Sequence, residues 1–230
     1  MPFVALYRLD GPTDLRTRLR QSLGERVPEA IFTADCPPTS VVLVVGIAEP
    51  RELNLYREGE DHSPPFDLAI KAEYPDADAF RRNLASAELA ALFSTCSAYR
   101  TEETVKKGPR PQDGHRTGEL DGVHMLHPLR FHDDLPMSAL LRSWRDIHGD
   151  LAVEAHAGAG YYSQNLVLET IEPGPVDYGG FSEFHFPTRA ALIDGYFASD
   201  AARRAVRHDI RHFIDGIPPR LFGTAHHYAR

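Results

Sequence analysis

The chain has 230 residues, of which 42% are hydrophobic, 25% charged and 10% aromatic. This composition is typical of a soluble globular protein and excludes global disorder, and the length suits one large domain or two small ones. The net charge of -8 disfavours nucleic acid as a partner. No window holds the roughly 20 consecutive apolar residues of a membrane-spanning helix.

The chain start and the cysteine content both favour a cytoplasmic location. The opening residues, MPFVALYRLDGP, lack a basic segment followed by an apolar run, so a secretory signal is not indicated. Cys36 and Cys96 are the only cysteines, which excludes a disulfide framework and fits a reducing compartment. Neither has the surroundings of a thiol nucleophile.

Polar, proline- and glycine-containing stretches interrupt the chain at 49–65 and again after residue 100. The second is the longer, and it holds almost nothing to bury. We interpret 101–121 as a linker or mobile flap. It divides the chain into an N-terminal half, 1–100, and a C-terminal half, 122–230.

The two halves repeat the same order of elements. The segment FDLAIKAEYP at 66–75 aligns with YGGFSEFHFP at 178–187, and an alanine-rich helical pattern follows each. Each half reads as strand, helix, strand, strand, helix and a final strand, near 94–100 in the first and 220–228 in the second. This order is that of the ferredoxin-like βαββαβ unit.

A ferredoxin-like unit covers one face of its sheet with helices and leaves the other face bare. Two such units can close sheet to sheet, which buries both bare faces. The predicted fold is therefore α+β, with two tandem ferredoxin-like halves forming one α+β barrel. The interior of that barrel is the expected place for a small ligand.

Strand alternation predicts which side chains face the barrel interior. In the segment 178–186, Phe181, Glu183 and His185 share the face that is not expected to pack under a helix. In the first half, Lys71 and Glu73 occupy the matching positions. These ionisable groups could be a solvated face or ion pairs between the halves, but Phe181 beside Glu183 and His185 favours a pocket.

Four motifs of the C-terminal half occur in the order of one known family. They are SWRDIH at 143–148, YYSQN at 161–165, GFSEFHF at 180–186 and DIRHFID at 209–215. The series, which spans 124–228, resembles the EthD-like family of the dimeric α+β barrel superfamily. The first half matches only in outline and is interpreted as a degenerate copy that completes the barrel.

The resemblance implies an enzyme that acts on aromatic or polyketide-like compounds. Related barrels include cofactor-free monooxygenases, lactone isomerases, polyketide cyclases and haem enzymes, and a shared fold does not choose among them. The resemblance also marks His148 as a base, on a helix predicted over 136–148 that carries Trp144 on the same face. The alternative is that His148, followed by Gly149, only caps the end of this helix.

Tyr161, Tyr162 and Asn165 lie on one predicted strand and could donate hydrogen bonds to a ligand oxygen. Tyr162 and Asn165 face opposite sides, whereas Tyr161 shares its side with Asn165. His208 and His212 have a metal-chelating spacing, but four arginines crowd the same segment, so no metal site is predicted.

The sequence therefore predicts a cofactor-free lyase, cyclase or isomerase whose acid/base group is His148 or His185, with Glu183 orienting the imidazole. Substrate contacts are expected from Trp144, Tyr161, Tyr162, Asn165, Phe181 and Lys71. A monooxygenase, cofactor-free or with haem, and a non-catalytic module for hydrophobic ligands are the alternatives. The expected partner is a small aromatic molecule; neither nucleic acid nor a membrane is expected, and a homodimer is left open.

Overall fold

The computed structural model describes residues 1–8, 31–32, 37–47, 51–53, 55, 66–85, 95–114, 117–216 and 219–229. The helix expected near 13–23 and Cys36 lie outside these residues. Eight strands make up the sheet: β1 (Pro2–Arg8), β2 (Ser40–Gly46), β3 (Leu68–Glu73), β4 (Thr95–Lys107), β5 (Gly118–Leu129), β6 (Tyr161–Glu172), β7 (Gly180–Phe186) and β8 (Leu221–Ala229).

The strands form a closed barrel in the order β1-β3-β2-β8-β5-β7-β6-β4, and every neighbouring pair is antiparallel. Within each half the strands have the ferredoxin-like order, and the halves meet where β2 pairs with β8 and β4 pairs with β6. The predicted α+β barrel is confirmed. Closure leaves no unpaired strand edge among the eight strands.

The described helices lie on the outside of the barrel. They are α1 (Ala77–Leu84), α2 (Met137–Leu140), α3 (Gly149–Ala155), α4 (Arg189–Gly195) and α5 (Asp200–Asp209), with short 3₁₀ segments at Arg51–Leu53 and Ile210–His212. None of the helices in the described ranges is long and apolar enough to cross a membrane.

Short polar side chains fix where three of these helices begin. The side chains of Asp76, Thr188 and Ser199 accept hydrogen bonds from the backbone N–H three residues later, at 2.7, 3.0 and 3.1 Å. Each satisfies one N–H that the first turn of a helix leaves unpaired.

A π-helical segment, Leu141–His148, joins α2 to α3 without a break. The helix predicted over 136–148 therefore continues to Ala155, and His148 does not cap its end. Gly149 has ordinary helical backbone angles, and a Cβ there would lie 2.4 Å from Cε of Lys106, whose side chain crosses the helix at this point.

The strands have two differently packed faces. On the outside of the first half, Phe3 packs against Phe80 of α1 with ring centroids 4.5 Å apart. On the outside of the second half, Phe184 stacks on Tyr162 at 4.3 Å, and Phe186 lies in the same cluster. The alternate residues of these strands point into the barrel, as the sequence pattern predicts.

About half of the linker or flap expected over 101–121 is strand. β4 continues through Lys107 and β5 begins at Gly118, so only the residues between them form a connection. The segment is polar because β4 pairs with β6 and turns Glu103 toward polar groups inside the barrel, where the carboxylate is bound. The division of the chain at this segment remains an interpretation.

A bulge in β5 precedes His124 and leaves one backbone carbonyl outside the strand pairing. The pairing with β8 shifts between Leu120 and His124, and Gly122 lies in this irregular stretch with a φ of +87°. Only glycine adopts such a backbone readily. The bulge leaves the carbonyl oxygen of Asp121 to accept a hydrogen bond from Nε2 of His185 at 2.7 Å.

We expect Gly122→Ala to lower the free energy of unfolding by about 3 kcal/mol, because a positive φ and a steric clash act together. Its Cβ would lie 2.1 Å from the carbonyl oxygen of Phe186. Gly114→Ala is the matched control, since Gly114 has a φ of +77° but nothing within 4 Å. Urea unfolding of both variants measures the difference, and equal losses would show that the clash is relieved by movement.

Candidate functional site inside the barrel

The barrel interior has an apolar end and a polar end. Tyr99, Tyr178 and Phe181 fill the apolar end, with the rings of Tyr99 and Phe181 5.4 Å apart. Phe181 is fully buried there, so its predicted inward direction is confirmed. The polar end collects side chains from β3, β4, β5, β6 and β7.

Lys71 is the centre of the polar end. Its ammonium group donates to Oε2 of Glu183 at 2.7 Å and to Oε1 of Glu103, so it bridges two carboxylates from different strands. The side chains of Lys71, Glu103 and Glu183 are 15%, 6% and 9% exposed. Burial alone would lower the pKa of Lys71, but the charges of Glu183 and Glu103 outweigh it and raise that pKa. The lysine is therefore held as a cation.

Glu103 has two further hydrogen-bond partners besides Lys71. Tyr161 donates its hydroxyl to Oε1 at 2.7 Å, and Arg110 donates to Oε2 from two nitrogens at 2.6 and 2.8 Å. Burial opposes the charge of Glu103, yet the Lys71 cation and these hydrogen bonds lower its pKa to about 2. Burial and the two nearby carboxylates raise the pKa of Tyr161, so its hydroxyl stays protonated.

A chain of hydrogen bonds continues from Glu183 along β6. Ser163 donates its hydroxyl to Oε2 of Glu183 at 3.3 Å, and Nδ2 of Asn165 donates to Oγ of Ser163 at 3.2 Å. This direction leaves the carbonyl oxygen Oδ1 of Asn165 without a hydrogen-bond partner within the described part of the chain. Both residues are buried.

His124 and His185 face each other across β5 and β7, with ring centroids 4.7 Å apart. Because Nε2 of His185 donates to the carbonyl oxygen of Asp121, the lone pair of the neutral ring lies on Nδ1. His124 is 1% exposed and is buried beside His185 and Lys71, which lowers its pKa to about 3. At neutral pH this ring is uncharged.

A small cavity lies against these groups. Lys71, His124, Asn165 and Glu183 form its polar wall, and its apolar wall consists of Val4, Val44, Ala69, Met125 and Leu126. Its free space of about 10 Å³ holds about one water molecule. An aromatic substrate therefore needs interior side chains to move before it can enter.

The structure brings five of the predicted site residues together inside the barrel: Lys71, Tyr161, Asn165, Phe181 and Glu183. His185 joins them at the polar end, where it is partly exposed. The expectation that Glu183 orients His185 is wrong, because Glu183 is bound by Lys71 and Ser163 and the carbonyl of Asp121 holds His185. Glu73, expected on the inner face, is exposed at the end of β3.

The other predicted residues lie outside the barrel, between sheet and helices. Tyr162 packs on Phe184, and Trp144 is fully buried against Phe131 at 4.9 Å between centroids. Neither lines the cavity, so the expected substrate contacts of Trp144 and Tyr162 find no support. The reason is geometric: Tyr162 has the outward parity of β6, and the π-helical segment directs Trp144 into the helix–sheet core.

His148 forms a separate pair on the helix side. Its Nδ1 lies 2.8 Å from Oδ2 of Asp209, and its ring contacts Phe213 at 5.1 Å between centroids. Two motifs of the family resemblance, those containing His148 and Asp209, thus meet in space. They meet on the opposite side of the sheet from Glu183, so His148 and Glu183 do not form one site.

Sequence reasoning missed Glu103, Arg110, His124 and Ser163. Glu103 and Arg110 fall in the segment interpreted as a linker, where the β-branched residues Thr101, Thr104 and Val105 were the available signal for a strand. His124 has the same parity as the inward-facing Leu120, so alternation along β5 was the available signal, although a bulge at the Asp-Gly pair 121–122 interrupts the strand.

The described side chains are not arranged to bind a metal ion or haem. Among the residues that the structure describes, no group of three histidine, cysteine, aspartate or glutamate side chains could hold a metal ion. Haem needs a wide slot beside an axial ligand, but Phe213 and Trp144 fill the space around His148. The interior cavity is far too small for it. Neither the surroundings of His148 nor the interior cavity fits haem.

The fold is shared with solved structures of low sequence identity. An anthrone oxidase-like protein superposes with a TM-score of 0.59 at 11% identity, covering 99% of this chain and 92% of that chain. DypB N246A in complex with manganese superposes with a TM-score of 0.51 at 11% identity, covering 99% and 92%.

The likenesses to the anthrone oxidase-like protein and to DypB N246A, together with the strand order, show that the chain has the α+β barrel class of fold. No protein-family model matches the sequence, and no curated protein matches it either. Membership of the EthD-like family within that class stays a prediction.

Proposed function

We propose that the chain is a small-molecule enzyme that removes a proton from an activated carbon of its substrate at the polar end of the barrel. The observation that carries the proposal is the Glu103–Lys71–Glu183 group, buried beside a cavity and next to two histidines. A buried ion-pair group stabilises a fold poorly compared with apolar residues of the same size, whereas perturbed ionisable groups in a cavity are typical of active sites.

His185 is the proposed base. Its Nδ1 lone pair faces no hydrogen-bonding partner in the described ranges, and the Asp121 carbonyl fixes the ring and its tautomer. Lys71 supplies positive charge near the carbanion that forms, and Glu103 and Glu183 hold the ammonium in place. The apolar wall of the adjacent cavity keeps water from the inner side of this group.

We further propose that the carbanion reacts with dioxygen, because the anthrone oxidase-like protein has the same fold. The carbanion transfers electrons to O₂ and a carbon–oxygen bond forms, which gives a peroxide anion that takes the proton back from His185. The hydroperoxide then loses water as its O–O bond and the remaining C–H bond break. A CH₂ group and O₂ thus become a carbonyl group and H₂O. This reaction is the monooxygenase alternative of the sequence analysis.

Without the oxygen step, the same proton transfer would give the lyase, cyclase or isomerase chemistry expected from sequence. Incubation of the wild-type protein with anthrone, as a test carbon acid, separates these outcomes. Uptake of one O₂ per molecule converted supports oxidation. Conversion under argon supports acid/base chemistry alone, and binding without conversion supports a hydrophobic-ligand module.

His185→Ala is expected to lower kcat by about 10²-fold, the usual contribution of a general base, with little change in the far-UV spectrum. His148→Ala is the informative comparison, because His148 lies on the other side of the sheet. Its kcat per folded molecule should stay near that of the wild type. If His148→Ala lost activity and His185→Ala kept it, the active site would lie at the His148–Asp209 pair instead. The exposed His208 provides an inert control, His208→Ala.

A further inference from the structure

Two buried polar groups of the cavity lack hydrogen-bond partners. Both ring nitrogens of His124 and Oδ1 of Asn165 have none among the described residues, although each of these residues is 1% exposed. Such groups cost free energy when they are buried unpaired, and native proteins pair nearly all of them. Both side chains line the same cavity, so a single occupant can serve both.

The chemistry of the free atoms defines that occupant. A neutral imidazole offers one N–H donor and one lone pair, and Oδ1 of Asn165 is only an acceptor. The Asn165 amide is held in this direction because its Nδ2 donates to Ser163. An anionic oxygen would be repelled by Oδ1 of Asn165 and by the Glu183 carboxylate, which also lines the cavity. A group that both accepts and donates one hydrogen bond fits, and a hydroxyl is the smallest such group.

The cavity size points to the same group. Free space of about 10 Å³ admits one oxygen atom, and its remaining wall is aliphatic. A hydroxyl attached to an apolar skeleton could therefore place its oxygen here while the skeleton displaces side chains of the apolar wall. The Lys71 ammonium donates two of its three hydrogens to Glu103 and Glu183, and these two carboxylates balance its charge, so it does not require an anionic ligand.

We propose that His124 and Asn165 form the hydroxyl-recognition site of the substrate, so that the substrate is a neutral phenol or alcohol. One nitrogen of His124 donates to the hydroxyl oxygen, and the hydroxyl hydrogen donates to Oδ1 of Asn165. The inference rests on the proposed function, since it names the substrate class of the same site. His124 acts as a positioning residue that stays uncharged, distinct from the base His185.

Phenol and its methyl ether, anisole, are the probes, because they differ in the hydroxyl hydrogen that Asn165 would accept. Wild-type protein with ¹⁵N-labelled histidine is titrated with each, and the side-chain nitrogens of His124 are followed by NMR. Phenol is expected to bind about tenfold more tightly than anisole, the effect of one buried hydrogen bond, and to shift the His124 nitrogens. The signals of His124 are identified by their loss in His124→Phe.

His124→Phe and Asn165→Leu are each expected to weaken phenol binding about tenfold, and Asn165→Leu should remove the preference for phenol over anisole. His208→Phe, at an exposed position, is the matched control and should leave both affinities unchanged. The comparison of phenol and anisole affinities in the wild type needs no variant, so a variant that fails to fold does not block that part of the test.

Equal affinities of phenol and anisole for the wild type, or phenol binding that leaves the His124 nitrogens unshifted, would overturn the recognition site. That result would leave the proposed proton removal intact, because its test is the loss of kcat in His185→Ala. Conversely, a phenol preference that depends on Asn165 in a protein without turnover would support the recognition site and contradict the enzymatic proposal.

Discussion

Replacing Lys71 by methionine is expected to lower the free energy of unfolding by about 3–5 kcal/mol, the usual cost of breaking a buried ion pair from one side. Methionine keeps most of the side-chain volume but removes the cation. Glu103 retains Tyr161 and Arg110, whereas Glu183 retains only the Ser163 hydroxyl within the described part of the chain. The uncompensated charge at Glu183 therefore causes most of the loss, which urea unfolding at pH 7 measures.

A second substitution separates charge from packing. In the double variant Lys71→Met/Glu183→Gln, the remaining carboxylate is Glu103, which keeps its hydrogen bonds from Arg110 and Tyr161. About half of the lost stability should therefore return. Arg130→Met is the control, because Arg130 and Asp215 are about half exposed and such pairs contribute at most about 1 kcal/mol. A loss below about 1 kcal/mol in Lys71→Met would mean that water reaches the group and that the interior is not closed.

Acidification below pH 6.5 is expected to destabilise the protein steeply, because two buried histidines resist protonation. Burial lowers the pKa of His124 and of His156 to about 3, from 6.5 in the unfolded chain. Between these values the unfolded chain binds protons that the folded protein does not. Stability is therefore full above about pH 6.5 and falls by about 1.4 kcal/mol per pH unit for each histidine as the pH drops. Glu103, with its pKa lowered to about 2, adds to the loss below about pH 4.5.

Urea unfolding at half-unit steps from pH 7 to pH 4.5 measures this slope. We expect about 2.7 kcal/mol per pH unit for the wild type and about half of that for His124→Phe, which removes one of the two histidines. His208→Phe should leave the slope unchanged, since His208 is exposed. A flat profile would mean that both rings protonate within the folded protein, which would contradict their burial away from water.

The sequence by itself determined the elements of the fold and much of its inner face. Strand alternation placed Phe181 and Glu183 inward and Phe184 outward, because neighbouring side chains of a strand must point to opposite faces. The repeat of strand and helix order predicted two ferredoxin-like halves, and burial of their bare faces required closure into a barrel. Local patterns carry this information, since each depends only on residues near one another in the chain.

Only the tertiary structure decided which inward groups meet. Glu103 reaches Lys71 because β4 runs beyond the first half and pairs with β6, and His124 meets His185 because β5 pairs with β7. The same closure puts the sheet between His148 and Glu183, which the sequence had assigned to one mechanism. Register and bulges depend on partners far away along the chain, so strand periodicity cannot fix them.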